Sequence, residues 1–179
     1  MSRFSGKNIW IIKPKSGDGF KGKVMIIRKA QSKDAKGIAN VLAQSYNIIG
    51  IREGLQVFKD ETKKLNHYII AEENGKVIGI ITWIMHGLPK HQLCELDRIA
   101  VLPLYRGKGV AKKLFNAMVK EAEKFYKKKD SRLRKLYLLT HADNEIAQKF
   151  YEKLGFRREA ILKGHYYREK DEIVYSMFF

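Results

Sequence analysis

Two carboxylates, Glu95 and Asp97, stand two residues apart in a stretch with the apolar content of a strand. Alternate strand residues share a face, so the pair is expected to point one way. A carboxylate so placed can take a proton from an amine, hold a cation, or pair with a basic neighbour such as Arg98. Farther on stands Tyr151, whose phenol is protonated at neutral pH (reference pKa about 10) and can donate to a departing anion. A buried aromatic on a helix stripe is the plainer reading of Tyr151. Between these lies Arg106-Gly107-Lys108-Gly109, followed by Val110 and Ala111. Gly107 and Gly109 carry no side chain, so a phosphate can approach the backbone closely. The helix expected after Gly109 begins with amides that lack intrahelical partners, and its dipole adds partial positive charge there. Arg106, Lys108 and Lys112 add full charges.

The loop is not a Walker loop, because Gly109 is followed by Val110 and Ala111 rather than Lys and Ser or Thr. Nor is it a dinucleotide fingerprint, since counting from Gly107 puts Lys112 where Gly or Ala belongs. What stands here is Arg106-x-x-Gly109-x-Ala111. It is preceded by Glu95-Leu96-Asp97-Arg98-Ile99-Ala100-Val101 and followed by Asn144 and then Phe150-Tyr151-Glu152-Lys153-Leu154-Gly155-Phe156. Together the three segments resemble the GNAT acetyltransferase superfamily in order and spacing. The resemblance implies acetyl-CoA as cosubstrate, its pyrophosphate on the backbone of Arg106, Gly107, Lys108, Gly109, Val110 and Ala111. It implies that Ile99, Ala100 and Val101 offer backbone groups to the acetyl and pantetheine arm, beside a strand that splays away. It also implies that Asn144 contacts CoA and that Tyr151 faces the thiolate.

Acetyl transfer from a thioester to an amine needs a neutral amine, donors for the developing oxyanion, and a proton or hydrogen bond for the leaving thiolate. Glu95 matches the position where some GNAT members hold a catalytic Glu. Asp97 is the alternative base and His141 a further one. Some N-terminal acetyltransferases place their base Glu on the strand before the Asn144 segment, where this chain has Leu139; their mechanism therefore does not carry over directly. Cys94, flanked by apolar residues, reads as a packed thiol, so transfer is expected to be direct. Near the end, Gly164-His165-Tyr166-Tyr167-Arg168 and Asp171-Glu172-Ile173-Val174-Tyr175 resemble protein N-terminal acetyltransferases of the ribosomal-protein type. The resemblance implies that the two tyrosines contact a peptide backbone. The expected acceptor is thus a protein or peptide α-amine. A polyamine or other small-molecule amine is the alternative, and a non-catalytic acyl-CoA-binding or RNA-associated module the alternative of another class.

The elements that must position these groups can be read in order. Residues 1–23 read as an extension around the apolar run 8–12, with a single GNAT domain over 24–179. A strand at 24–27 is followed by Ser32 as an N-cap and a helix with Ala35, Ile38, Ala39, Leu42 and Tyr46 on one face. Residues 47–64 read as a less regular helix. Strands at 67–71 and 76–85 flank Asn74-Gly75, a strong hairpin signal. Then come a strand at 91–101, a long basic helix to about 129, and a strand at 136–140. A helix opened by Asp143 or Asn144 stops at Gly155, and strands at 156–162 and 172–178 close the chain. The fold class is α/β: a mixed, mostly antiparallel sheet with helices on both faces. A helix of some twenty residues connects strands 91–101 and 136–140, which implies that these two run parallel.

Composition narrows the classes. The chain has 179 residues, a single cysteine and no run of apolar residues long enough to cross a bilayer. No signal-peptide pattern or metal-ligand spacing is present, and a cytoplasmic location is expected. The formal charge is +17. Over residues 104–135 there are twelve Lys and Arg against Glu121, Glu123 and Asp130. Such a face suits attraction of CoA phosphates, a weak electrostatic association with ribosome or RNA, or simple solvation of a helix. No aromatic stacking motif interleaves the charges, which disfavours nucleic-acid binding as the main function. No membrane partner is expected, and either a monomer or a homodimer is compatible with the sequence.

Overall fold

A computed structural model describes residues 9–12 and 24–179. Of the expected extension, residues 1–8 and 13–23 lie outside the described residues. Residues 9–12 form an edge strand, β1 (Ile9–Ile12), antiparallel to β2 (Met25–Lys29). The described strands are ordered β1-β2-β3-β4-β5-β6-β8-β7. They comprise β3 (His67–Glu73), β4 (Lys76–His86), β5 (Leu93–Val101), β6 (Lys135–His141), β7 (Arg157–Tyr167) and β8 (Lys170–Phe178). β5 and β6 run parallel, while β2 with β3, β6 with β8 and β7 with β8 are antiparallel. The sheet is therefore mixed and mostly antiparallel, as the sequence implied. The long helix α3 (Val110–Lys127) supplies the crossover that a parallel pair requires.

The chain divides into two compact units, the first ending at Thr82 but taking up Arg98–Lys120 again, the second comprising Trp83–Asp97 and Glu121–Phe179. In the first unit, α1 (Ala35–Ser45) buries Ile38, Val41 and Leu42 with Tyr68 and Ile70 of β3 and Val77 and Ile80 of β4. Helix α2 (Gly50–Lys63) crosses α1 at Gly54, where an added Cβ would sit 2.8 Å from the Ala39 carbonyl. Only glycine permits that approach. The Asn74-Gly75 turn joins β3 to β4 with positive φ at both residues (51° and 76°), the requirement of a tight type I′ hairpin. Ser32 is not a simple α-helix cap. Residues Ser32–Asp34 form a 3-10 turn, and the Asp34 carboxylate accepts from the Gln31 amide at 2.7 Å before α1 starts.

The second unit packs Trp83, Cys94, Leu96, Tyr126, Leu136 and Leu138 into its interior. Burial alternates along β6: Leu136, Leu138 and Thr140 are buried, while Tyr137, Leu139 and His141 occupy the other face. The β5–β6 ladder runs from Leu93 opposite Lys135 to Glu95 opposite Tyr137. Helix α4 (Glu145–Leu154) starts at Asn144, whose Oδ1 accepts from the Ala147 amide at 3.1 Å. It stops at Gly155, left-handed at φ 99°, as the sequence predicted, and of the two candidate openers, Asp143 and Asn144, it is Asn144 that caps. The β7–β8 hairpin is longer than the apolar runs suggested. β7 continues to Tyr167 and β8 begins at Lys170, because a bulged stretch carries the pairing past Leu162. Asp171 holds that bulge by accepting from the Gly164 amide at 3.2 Å and from Lys163 Nζ at 2.6 Å.

Candidate active site

In the first unit the loop 102–109 is built by its neighbours. Pro103–Tyr105 make one 3-10 turn, and Arg106 Nε donates to the Val101 carbonyl at 3.0 Å, tying the loop to the end of β5. Gly107 and Gly109 both have left-handed backbone (φ 73° and 71°), and an added Cβ at either would meet nothing within 4 Å. The glycines therefore serve backbone conformation and an open approach rather than packing. The amide of Lys113 is bonded to the Gly109 carbonyl at 3.2 Å. The amides of Val110, Ala111 and Lys112 precede that first helical hydrogen bond, the position where a helix start receives an anion. Lys108 and Lys112 are exposed beside them.

Just past the end of β5, the Leu102 amide bonds the Ile78 carbonyl at 2.9 Å, which orients the backbone of Ala100 and Leu102 toward β4. By strand alternation, the backbone groups of Ile99 and Val101 project from the opposite edge. Their carbonyls are engaged within the protein, Ile99 by the Tyr46 hydroxyl at 3.0 Å and Val101 by Arg106. Any ligand contact along this edge thus falls to amides more readily than to those two carbonyls. The open Gly-Lys-Gly backbone and its exposed cations fit the phosphates of acetyl-CoA, the cosubstrate that GNAT acetyltransferases use.

In the second unit Glu95 is a half-buried carboxylate at the centre of a small polar cluster. The Tyr137 hydroxyl donates to Glu95 Oε2 at 2.8 Å, and His86 Nε2 lies 2.5 Å from the same oxygen. The Tyr137 phenol is held above the usual tyrosine range by burial and by the carboxylate it donates to. It therefore acts as a fixed donor, with Glu95 as acceptor. Asp97 is on the same strand two residues on, half-buried. Neither His86 nor Tyr137 stood out in the sequence. His86 merely ends an apolar run, and Tyr137 became legible only once the parallel register put it opposite Glu95.

Tyr151 lies on α4 with 7% of its surface exposed, among Phe150, Phe156 and Tyr175 at ring-centroid distances of 5.5, 5.9 and 6.3 Å. Burial pushes its phenol up, so it keeps its proton across the neutral range. The core reading and the donor reading both fit this placement. Asn144 is the α4 cap already described, which uses its side-chain oxygen. Cys94 is fully buried and its thiol is pushed up by burial, the opposite of what a nucleophilic thiolate needs.

A second imidazole–carboxylate pair lies on the opposing strands β6 and β8. His141 Nδ1 is 2.5 Å from Glu172 Oε1, and the two residues face each other in the antiparallel register. Glu172 is 2% exposed. The sequence reading considered His141 alone and missed Glu172, whose burial nothing in a run of charged residues announces. Tyr167 packs its ring 5.7 Å from that of His141, and both Tyr166 and Tyr167 are exposed on the hairpin.

Comparison with known proteins places this geometry. The pattern of the Acetyltransferase (GNAT) family matches residues 36–156. An N-alpha-acetyltransferase of Saccharolobus solfataricus is 38% identical over 157 residues, covering 82% of this chain and 88% of that protein. An uncharacterized N-acetyltransferase of Methanocaldococcus jannaschii is 30% identical over 101 residues, covering 54% of this chain. The chain spans only 42% of that relative's length. A solved ribosomal-protein alanine N-acetyltransferase of Escherichia coli superposes with a TM-score of 0.70 at 20% identity, over 86% of this chain and 93% of that one, a likeness of fold. With its central strand, glycine loop and Asn144–Phe156 segment all inside or at the edge of the matched range, the chain belongs to the GNAT acetyltransferase family.

Proposed function

We propose that this protein transfers the acetyl group of acetyl-CoA directly to a primary amine, and that the acceptor is the α-amine of a protein or peptide N-terminus. The observation that carries the chemistry is the half-buried Glu95 carboxylate, held by the Tyr137 hydroxyl and His86. Acetyl-CoA supplies the thioester. The backbone of 106–111 binds the phosphates, with Asn144 a further contact. Ile99, Ala100 and Val101 align the arm. Glu95 takes the amine proton, directly or through water, and Tyr151 gives a proton to the leaving sulfur. The exposed Tyr166 and Tyr167 hold the acceptor backbone. The exposed lysines of α3 add a weak, salt-sensitive attraction for anionic surfaces.

Gly109→Asp tests the loop. An aspartate tolerates left-handed backbone better than most residues, and its Cβ would meet open space, so the chain is expected to fold. The added charge at the pyrophosphate position is expected to weaken acetyl-CoA binding at least ~10-fold, about 1.4 kcal/mol. Unchanged affinity by calorimetry in a folded variant would reject the assignment.

The choice of acceptor rests on proton energetics. An α-amine has a reference pKa of about 7.7–8.0 and a lysine amine about 10.4. At pH 7, neutralising the first costs roughly 1 kcal/mol and the second roughly 4–5. A site with Leu139 where some relatives hold a Glu suits the easier task. The names of the N-alpha-acetyltransferase relatives support the same reading. A lysine-containing peptide with a free N-terminus is expected to be acetylated on the α-amine, and its N-terminally blocked counterpart to be a poor substrate. Mass spectrometry locates the acetyl group. Equal or faster modification of the blocked peptide would reject the α-amine, and turnover of spermidine alone would favour a polyamine.

A further inference from the structure

We infer that His86 is a proton-relay residue that carries the amine proton from Glu95 to solvent. This rests on the reading of Glu95 as the base. A base that accepts a proton at each turnover must lose it again before the next. Glu95 keeps only 15% of its side-chain surface exposed, whereas His86, with Nε2 2.5 Å from Glu95 Oε2, keeps 41%. The other neighbour on that oxygen cannot serve. Tyr137 already donates its O–H to that oxygen, and burial holds its phenol protonated, so it does not take over the proton of Glu95.

An imidazole has what the step requires. Its two nitrogens can accept a proton on one side and release one on the other. The sequence balances. The amine N–H bond breaks and its proton bonds to Glu95. The Glu95 O–H bond then breaks as the proton bonds to His86 Nε2. The proton on His86 Nδ1 leaves to water, and the carboxylate is restored with Nε2–H facing it. Exchange of the ring protons with water returns the Nδ1–H tautomer before the next turnover, so charge and protons balance over the cycle.

The fold holds the pair in this geometry. His86 is the last residue of β4, and Glu95 lies on β5. The intervening loop is locked by His91, whose Nδ1 accepts from the Leu88 amide at 3.2 Å. The His86 ring also packs 5.5 Å from that of Tyr137, which fixes its tilt. Among the described residues, the titratable groups around the pair are Cys94 and Asp97 beside Glu95 on β5, Tyr137 from β6 and, acting electrostatically on Tyr137, Tyr166 from β7. His91 lies in the connecting loop.

The test compares wild type with His86→Gln, which keeps an amide near Glu95 but cannot shuttle a proton, and His86→Asn as a second side chain of the kind. With the acceptor that wild type uses best, kcat is expected to fall about 10-fold in both. The KM for acetyl-CoA and the thermal midpoint are expected to stay unchanged. The acidic limb of the kcat–pH profile is expected to shift, and in His86→Ala added imidazole is expected to restore turnover. A purely structural role would not respond to imidazole. Wild-type kcat and pH profile in the folded Gln and Asn variants, or an inactive Ala variant that imidazole leaves inactive, would overturn the relay alone. An active wild type with an equally active Glu95→Gln variant would overturn the base assignment and the relay together. Wild type inactive on every amine offered would overturn the transferase reading and the relay with it.

Discussion

Arg28→Met is expected to lower the free energy of unfolding by about 3 kcal/mol at pH 7, more than most single changes outside the interior. Arg28 stands on β2 with 12% of its side chain exposed. Its two terminal nitrogens bind the two oxygens of Asp34 at 2.7 and 2.8 Å, and its Nε binds Glu72 Oε2 at 3.0 Å. One guanidinium thus neutralises two carboxylates and pins the entrance of α1 to β2 and β3. Methionine keeps most of the apolar stem, so what is lost is the charge and the forked donors. Asp34 would then remain, without its counter-charge, in a site whose burial disfavours its charged form, and Glu72 would lose its guanidinium donor.

The pH dependence has a definite sign. Burial alone would raise the Asp34 carboxyl, but hydrogen bonds from the Arg28 guanidinium and the Gln31 amide outweigh it and hold the carboxyl below the usual range. A carboxyl depressed in the folded state adds stability above its unfolded pKa, about 3.9 for aspartate, and loses it as pH falls through the lower folded value. The gap between wild type and Arg28→Met is therefore expected to be full at pH 7 and to narrow on acidification below about pH 4. Urea unfolding at the two pH values measures both. Equal stability at pH 7 would mean that the Arg28 clamp contributes nothing.

Much of this fold can be read in the chain because local signals coincide with tertiary ones. Asn74-Gly75 specifies its hairpin through backbone conformation alone, and Asn144 with Gly155 brackets α4 by capping alone. The glycine loop is legible for the same reason, since positive φ at Gly107 and Gly109 is a property of those residues. What escaped depends on register. Tyr137 joins Glu95 only because β5 and β6 pair in parallel at that step, and Glu172 joins His141 only because β6 and β8 pair antiparallel at that one. A shift of one residue would send either side chain to the opposite face, and no local pattern reports register between strands separated by a helix. The hairpin tip was underestimated for a related reason. Lys163, Gly164 and His165 break the apolar alternation, and Asp171, from the partner strand, restores order across the bulge.

Tyr151→Phe is expected to produce the largest loss of turnover with the least disturbance of structure. The ring already sits in an aromatic pocket of Phe150, Phe156 and Tyr175, so phenylalanine fills the same volume and the thermal midpoint should move by no more than a few degrees. Acetyl-CoA affinity should also hold, because the phosphate contacts assigned to the 106–111 loop are untouched. What disappears is one O–H. Burial raises the Tyr151 phenol, so in wild type that proton is present across the neutral range and on into mildly alkaline solution. A thiolate leaving without a donor carries its full charge in a site that offers less solvation than water. If Tyr151 supplies that proton, kcat should fall by at least ~10-fold, equivalent to about 1.4 kcal/mol of transition-state stabilisation. The wild-type rate should show no alkaline decline attributable to this group up to about pH 9, where an ordinary tyrosine begins to ionise. Steady-state kinetics from pH 6 to 9, paired with calorimetry of acetyl-CoA binding, separate the outcomes. Lost affinity with kcat unchanged would make Tyr151 a binding residue, and wild-type turnover in a folded phenylalanine variant would leave it a packing aromatic, passing the thiolate's proton to another donor.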